Sequence, residues 1–316
     1  MSQLTFAEAE YENKKHTTGR EIFLERIDKL IPWSRLEKKC ARHYPKGETG
    51  RPPYPLAVML RVHCLQLFYN LSDAGMEDAL YEIESMRRFA GLRRSARLPD
   101  ETTILNFRHF PEAHRLGNGL FDEINRHLKA QHLNFREGTI VDATIISAPS
   151  STKNASGARD QQMHQTRTGQ QWYFGMELHI GVDDLLGLIH SLETTPANAS
   201  DIAHAGDLLH GEEERVWGDA GYAGVEKRAE HQARKVAWLV ALRPGKRAQL
   251  PPRGRLARLE KAKASVRAKV EHPFRYINRV FGYDKVRYRG LAKNENRRRL
   301  LPGFTNLLIG RKYLLA

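Results

Sequence analysis

The spacing of apolar residues changes abruptly near residue 136, and this change limits what the chain can fold into. Between about residues 20 and 130, apolar residues recur at helical spacing, and residues 55–69 are apolar nearly all round, which is typical of a helix packed inside a bundle. Residues 138–146 are instead rich in β-branched side chains, as in a strand. We therefore predict an all-α domain over residues 1–130 and an α/β domain over residues 131–316.

Two polar residues predict helix starts in the first domain. Ser72 and Asp100 each precede a stretch with helical periodicity and can cap its first turn. Short helices with tight connections fit either a helix-turn-helix-like DNA reader or a plain packing or dimerisation bundle. If it is a reader, residues 100–108 are the candidate recognition helix, with these side chains available for DNA: Thr102, Thr103, Asn106 and Arg108.

The second domain alternates predicted strands and helices. The strands after residue 146 are 174–182, 188–194, 215–219 and 236–242, and predicted helices lie at 202–209 and 225–234. We interpret Asp183 and Asp184 as the turn of a hairpin. Residues 147–171 and the short basic insertion 243–254 are predicted loops, and the last part of the chain is predicted to be helical and basic. This order predicts an α/β sheet with flanking helices.

Basic residues are concentrated at one end of the chain. Of 51 lysines and arginines, 25 lie in residues 227–316, where only 5 of the 37 acidic residues occur. This imbalance favours a surface that binds a polyanion, although a solvated basic face is the alternative.

Several classes of protein are excluded by composition and motif. No apolar run approaches the roughly 18 residues that a spanning helix needs, so we expect no membrane partner. A Gly-rich phosphate loop is absent, so we expect no nucleotide cofactor. Cys40 and Cys64 lack metal-ligand spacing, and the opening residues do not resemble a secretory signal. We therefore expect a cytoplasmic, reduced protein.

Three acidic residues suggest chemistry. Asp142 lies in the middle of a β-branched strand, Asp219 lies at the carboxyl end of another strand, and Glu271 lies on a late helix. Each also has a purely structural interpretation: Asp142 and Asp219 as turn formers, and Glu271 as the partner of Arg267 in an ordinary helical ion pair. Three carboxylates from separate elements can hold two divalent cations about 3.5–4 Å apart, and ligation by oxygen alone favours Mg²⁺ or Mn²⁺.

The same residues give the chain a family resemblance. It resembles the DDE transposases of bacterial insertion sequences, specifically the insertion-sequence-five family. The matching segments are 51–73 with 98–104, Val141-Asp142-Ala143-Thr144, Gly218-Asp219-Ala220-Gly221-Tyr222, Arg267-Ala268-Lys269-Val270-Glu271-His272-Pro273-Phe274, and the run 281–294. Of the related signature of Tyr, Arg, Glu and Lys, Arg267 and Glu271 are present, whereas Ala264 and Asn278 replace the Tyr and the Lys.

The resemblance implies an RNase H-like core with Asp142, Asp219 and Glu271 as catalytic metal ligands, and two Mg²⁺ or Mn²⁺ ions. The implied activity is metal-dependent cleavage and strand transfer at the terminal inverted repeats of an insertion sequence. The implied partners are double-stranded DNA, both inverted repeats and target, and further copies of the chain, as a homodimer or larger assembly in the cytoplasm and on the nucleoid. The expected DNA-binding residues are Arg267, Arg275, Arg279, Tyr283, Lys285, Arg287 and Arg289. The alternatives are an inactive DNA-binding protein, such as a repressor, or a nuclease that does not join ends.

Overall fold

The computed structural model describes residues 11–47, 52–93, 95 and 97–315. Arg51 and the opening residues 1–10, which entered the sequence analysis, lie outside these ranges. Within them, the first 130 positions include these seven helices: α1 (Gly19–Leu30), α2 (Trp33–Ala41), α3 (Leu56–Tyr69), α4 (Asp73–Glu82), α5 (Glu84–Phe89), α6 (Glu101–Ala113) and α7 (Leu116–Ala130).

Both predicted helix caps are present. The Ser72 hydroxyl accepts a hydrogen bond from the Gly75 amide at 3.0 Å, at the start of α4. The Asp100 carboxylate accepts one from the Thr103 amide at 2.8 Å, at the start of α6. Each cap satisfies an amide that the first helical turn leaves without a partner.

The rest of the described chain is built on a six-stranded sheet: β1 (Gly138–Ser147), β2 (His164–Thr168), β3 (Gln171–Asp183), β4 (Ile189–Pro196), β5 (Arg215–Gly218) and β6 (Ala237–Val240). β3 pairs antiparallel with β1, β2 and β4, whereas β1, β5 and β6 are parallel. The mixed sheet after a helical region fits the predicted RNase H-like fold.

Helices surround this sheet: α8 (Asp201–His204), α9 (Ala229–Gln232), α10 (Pro244–Ala248), α11 (Arg255–Arg267), α12 (Glu271–Arg275) and α13 (Leu291–Leu314). Three details differ from the sequence prediction. The polar stretch 147–171 contains β2, a mostly exposed strand whose lack of apolar residues concealed it. The helix predicted over 225–234 is a 3-10 turn followed by α9, and the basic insertion contains α10.

The longest helix, α13, packs against the N-terminal helices. Its buried Phe304 and Leu301 lie in one hydrophobic core with residues of α3 and α7 and with the inner face of the sheet. Asn306 of α13 is fully buried and bonds both backbone groups of Ile189 at 2.7 Å. The domain boundary at residue 130 stays a prediction, but the core continues across it.

The basic residues near the end of the chain are not all on the surface. Arg297 and Arg298 lie in α13 and are each only 5% exposed. Arg297 donates to the Gln66 carbonyl oxygen at 3.1 Å, and its guanidinium lies over the Tyr283 ring. Part of the basic excess is therefore internal. Within the described ranges a membrane-crossing helix is absent, since none combines the required length with the required apolarity.

A buried histidine predicts acid sensitivity of the helical core. His63 of α3 lies 3.2 Å from the Asn296 side chain of α13, and burial lowers its pKa to about 4. As pH falls below about 6.5 the unfolded chain takes up this proton first, so the stability contributed by neutral His63 is lost between about pH 6.5 and 4. The full loss is roughly 3 kcal/mol, at about 1.4 kcal/mol per pKa unit, and most of it falls between about pH 6.5 and 4.5.

Urea titrations at pH 7.0 and 4.5 measure this loss. In the variant His63→Gln the difference between the two free energies of unfolding is expected to shrink by roughly 2 kcal/mol. His109→Gln, which replaces an exposed histidine of α6, serves as the control and should keep the wild-type difference. An unchanged pH dependence in His63→Gln contradicts the assignment.

Candidate active site

Strand pairing places Asp142 and Asp219 side by side. β1 and β5 are parallel and in register, with Ile140 opposite Trp217. Two residues further along each strand, Asp142 is level with Asp219, which follows the last residue of β5. Because side chains alternate along a strand, both aspartates share the sheet face of Ile140 and Trp217, on strands about 4.8 Å apart.

Backbone amides hold both carboxylates. Asp142 Oδ1 accepts from the Ala143 amide at 2.9 Å, and Asp219 Oδ1 accepts from the Gly221 amide at 2.8 Å. The second bond closes the turn after β5, so Asp219 also forms a turn, as the structural interpretation proposed. A Cβ atom at Gly221 would lie 2.9 Å from Asp219 Oδ1. The close approach of carboxylate and backbone therefore requires glycine at this position.

Glu271 is the first residue of α12. A 3-10 turn over Ala268–Val270 separates α12 from α11, so the α-helical hydrogen bonding is interrupted beside the acid. Pro273 lies in the first turn of α12, where its missing amide leaves no hydrogen bond unmade. The Glu271 side chain is exposed, which leaves the site open on this side.

The charges of the other two acids act on Asp142. Burial raises the pKa of Asp142 to about 6; the charges of Asp219 and Glu271 act in the same direction, and the Ala143 amide and Arg267 oppose them. Clustered carboxylates repel one another, and a bound divalent cation relieves this repulsion. The donor set contains only oxygen atoms, so the residues fit Mg²⁺ or Mn²⁺.

Arg267 contacts the site from α11. Its Nη2 atom lies 3.6 Å from Asp142 Oδ2. In the described part of the chain its alternative ion pair with Glu271 does not form. Asn278, which stands where the related signature has lysine, donates to Thr144 Oγ1 at 3.0 Å and so holds the π-helical turn Tyr276–Val280 against β1.

The remaining residues predicted to bind DNA fall into three groups: exposed and unpaired with any described residue, exposed but hydrogen-bonded to other segments, and buried. Arg275, Arg279 and Lys285 are exposed, and none of them forms an ion pair with a described residue. Arg287 is exposed but donates to Asn70 at 2.8 Å, and Arg289 donates to Ser156 Oγ at 2.8 Å and the Ala158 carbonyl at 2.9 Å. These two arginines therefore link the segment 281–290 to Asn70 and to the loop that contains Ser156 and Ala158.

Tyr283 and Arg108 require correction. Tyr283 is fully buried and its hydroxyl bonds Asn294 at 3.3 Å, so its ring cannot stack on a base. Arg108 of α6 is 8% exposed and pairs with Asp73 at 3.0 Å. Both belong to the core because α13 and the 281–290 segment cover them, a long-range contact that local sequence does not reveal.

The sequence analysis missed a second polar cluster near Asp219. Glu177 and His179 of β3 and Asp201 of α8 each offer an oxygen or nitrogen atom within 4.8 Å of the others. One pattern could have revealed it: Glu177 and His179 are two residues apart among the apolar residues in the middle of a strand and therefore face the same side.

Replacing Asp142 should stabilise the metal-free protein. Because its folded pKa of about 6 lies above the ordinary value of 3.8, the ionised carboxylate destabilises the fold above pH 6, and the penalty disappears below about pH 4. Asp142→Asn is therefore expected to raise the free energy of unfolding at pH 8 in chelator by about 1–3 kcal/mol.

Differential urea titration measures this change. The control Asp122→Asn, at an exposed position of α7, should have no effect. Equal free energies of unfolding for Asp142→Asn and wild type at pH 8 would show that the ionised Asp142 carboxylate does not destabilise the fold.

Comparison with known proteins agrees with this geometry. Residues 133–307 match the family model Transposase DDE domain, and residues 9–110 match the model Transposase domain (DUF772). No solved structure matches the chain significantly. The first match covers more than half of the chain and includes Asp142, Asp219 and Glu271. The chain belongs to the DDE-domain transposases.

Proposed function

We propose that this transposase cleaves DNA at the terminal inverted repeats of its insertion sequence and transfers the strand to target DNA, with two Mg²⁺ or Mn²⁺ ions. The main support is that Asp142 and Asp219 lie side by side on one face of two neighbouring parallel strands. Glu271 is included as the third acid because its charge raises the pKa of Asp142.

Each acid has a distinct role in the proposal. Asp142 is the fixed ligand, since its strand is paired on both sides. Asp219 adopts the position that the Gly221 turn gives it, and exposed Glu271 completes the site from α12. Divalent metal, when bound, activates the attacking oxygen and stabilises the leaving oxygen. Arg267 offsets the negative charge at Asp142 and orients its carboxylate.

DNA is proposed to approach along the π-helical turn and the segment after it. Arg275, Arg279 and Lys285 are exposed there, close in sequence to Glu271 and to the end of β1, where the Val286 amide donates to Ser147 at 2.8 Å. Exposed guanidinium and ammonium groups suit phosphate contacts, which position DNA without reading its sequence. Reading of the repeats and assembly into a homodimer or larger complex are proposed for the N-terminal helices, with exposed Thr102 and Asn106 as contacts.

An inactive DNA-binding protein is the second candidate. A protein that only binds DNA gains nothing from three adjacent carboxylates, since they repel phosphate and their repulsion destabilises the fold. A nuclease that does not join ends would use the same acids, and only the products of the reaction distinguish it from a transposase.

The catalytic assignment is tested by three isosteric variants. Asp142→Asn, Asp219→Asn and Glu271→Gln should each reduce Mg²⁺-dependent cleavage by about a hundredfold or more, because each removes a metal ligand. The substrate is DNA that carries the ends of the element, and products are resolved on denaturing gels. Nicked ends joined to a second DNA indicate transfer, whereas free ends alone indicate a nuclease.

Binding to the same DNA, measured by fluorescence anisotropy in chelator, should be unchanged or tighter in these variants, because a negative charge near phosphate has been removed. The control Asp122→Asn should cleave normally. Wild-type cleavage by Glu271→Gln would overturn the assignment of the third acid.

The proposed phosphate contacts predict a salt dependence. The double variant Arg275→Gln/Arg279→Gln should bind all DNA sequences more weakly, and the slope of log affinity against log salt should fall by about 0.9 for each phosphate that the protein no longer neutralises. A matched double variant on α7, Arg126→Gln/Lys129→Gln, removes the same charge from two exposed positions. Equal slopes in the two double variants would place the DNA path elsewhere.

A further inference from the structure

The second polar cluster lies on the sheet face opposite the catalytic aspartates. In the β1–β3 register, Asp142 is opposite Ile180, whereas His179 is opposite Ala143 and Glu177 is opposite Ile145. Directly paired residues share a face and successive residues alternate. Glu177 and His179 therefore point away from the side that carries Asp142, toward the face covered by α8.

Two atoms of this cluster are buried without a hydrogen-bond partner in the described structure. His179 is fully buried, and its Nδ1 atom forms no hydrogen bond, although Asp201 Oδ1 lies 3.5 Å away. Glu177 is 9% exposed, and its Oε2 atom is likewise unpartnered. Buried polar atoms are nearly always satisfied, and a buried carboxylate without a partner costs several kcal/mol. A bound cation would satisfy both atoms at once.

The imidazole is arranged as a metal ligand. His179 Nε2 lies 2.8 Å from Thr195 Oγ1. A neutral ring that donates its Nε2 proton to this hydroxyl leaves Nδ1 with a free lone pair, 3.5 Å from Asp201 Oδ1, and Glu177 Oε2 lies 3.8 Å from Nε2 on the other side of the ring. Metal-binding histidines commonly have such an oxygen partner on the second nitrogen, which fixes the tautomer.

We propose that Glu177, His179 and Asp201 bind one divalent transition-metal ion of the Zn²⁺ class. An imidazole nitrogen with two carboxylates suits Zn²⁺ or Mn²⁺, whereas Mg²⁺ and Ca²⁺ prefer oxygen ligands alone. Two carboxylates neutralise the charge of the ion, and the partly exposed Asp201 leaves a side through which it can enter.

This ion is structural, and it supports the catalytic turn. A Cβ atom at Gly221 would lie 3.5 Å from Asp201 Oδ2, so Asp201 lies against the turn that holds Asp219. Tyr222, 1% exposed, lies in the same region: burial raises the pKa of its hydroxyl, as do the charges of Asp201, Asp142, Asp219 and Glu177. A metal that ties α8 to β3 therefore fixes the packing behind Asp219.

The test uses the full chain with the catalytic acids replaced, Asp142→Asn/Asp219→Asn/Glu271→Gln, so that its outcome is independent of the proposed function. Calorimetric titration with Zn²⁺ is expected to show one bound ion per chain. In thermal unfolding, added Zn²⁺ should raise the midpoint by about 5 °C or more. Mn²⁺ should bind more weakly, in the usual affinity order, and Mg²⁺ should give no shift.

Added to this background, Glu177→Gln and Asp201→Asn should each weaken Zn²⁺ binding by about a hundredfold. Both changes keep the side-chain shape and remove one negative charge from the cluster, so the metal-free thermal midpoint should be equal or higher. Asp207→Asn, an exposed acid one turn after His204, is the matched control and should bind Zn²⁺ normally.

The native sequence provides a second measurement if the background variant does not fold. In excess Mg²⁺, which occupies the carboxylate site, one Zn²⁺ should still bind, and its X-ray absorption spectrum should show a single imidazole with oxygen ligands. Failure to bind Zn²⁺, or Zn²⁺ binding that Glu177→Gln and Asp201→Asn leave intact, would overturn the proposal and indicate that Glu177 is held as a neutral acid.

Discussion

The parallel hydrogen bonding of β1 with β5 is the constraint on which the rest of the site depends. It makes Asp142 and Asp219 neighbours through the backbone register of the two strands. The other features adapt to this placement: the Gly221 turn keeps Asp219 level with its partner, and the interruption of the helix before Glu271 brings a third acid to the same region. A one-residue slip in register would turn one aspartate to the opposite face.

The pairing also places the Asp142 carboxylate where its negative charge is unfavourable, and the surrounding residues compensate for this only in part. Asp142 is largely buried beside like charges, and the Ala143 amide and Arg267 compensate only in part, so its pKa stays high. Natural proteins keep such strained groups where function requires them. The opposite face of the sheet carries a second group of polar side chains, which includes Glu177 and His179 of the neighbouring strand β3.

Local chemistry made much of this predictable. Helix caps such as Ser72, the β-branched strand around Asp142 and the strand-end position of Asp219 depend on neighbouring residues, so the sequence indicates them directly. Long-range contacts decided the rest. Tyr283 and Arg297 look like a nucleic-acid surface in sequence, yet they are buried against each other because α13 packs into the helical core. β2 escaped prediction because an exposed strand needs no apolar alternation.

The position of α13 has a consequence for how the chain is made. Asn306 and Phe304 complete a core to which helices of the first 130 residues also contribute. A ribosome releases those helices long before residues 291–314 emerge, so the nascent chain keeps an apolar groove open for most of its synthesis. The core of the helical region is therefore complete only once the last helix has been made, and until then the growing polypeptide is a natural client for chaperones that hold exposed apolar surface.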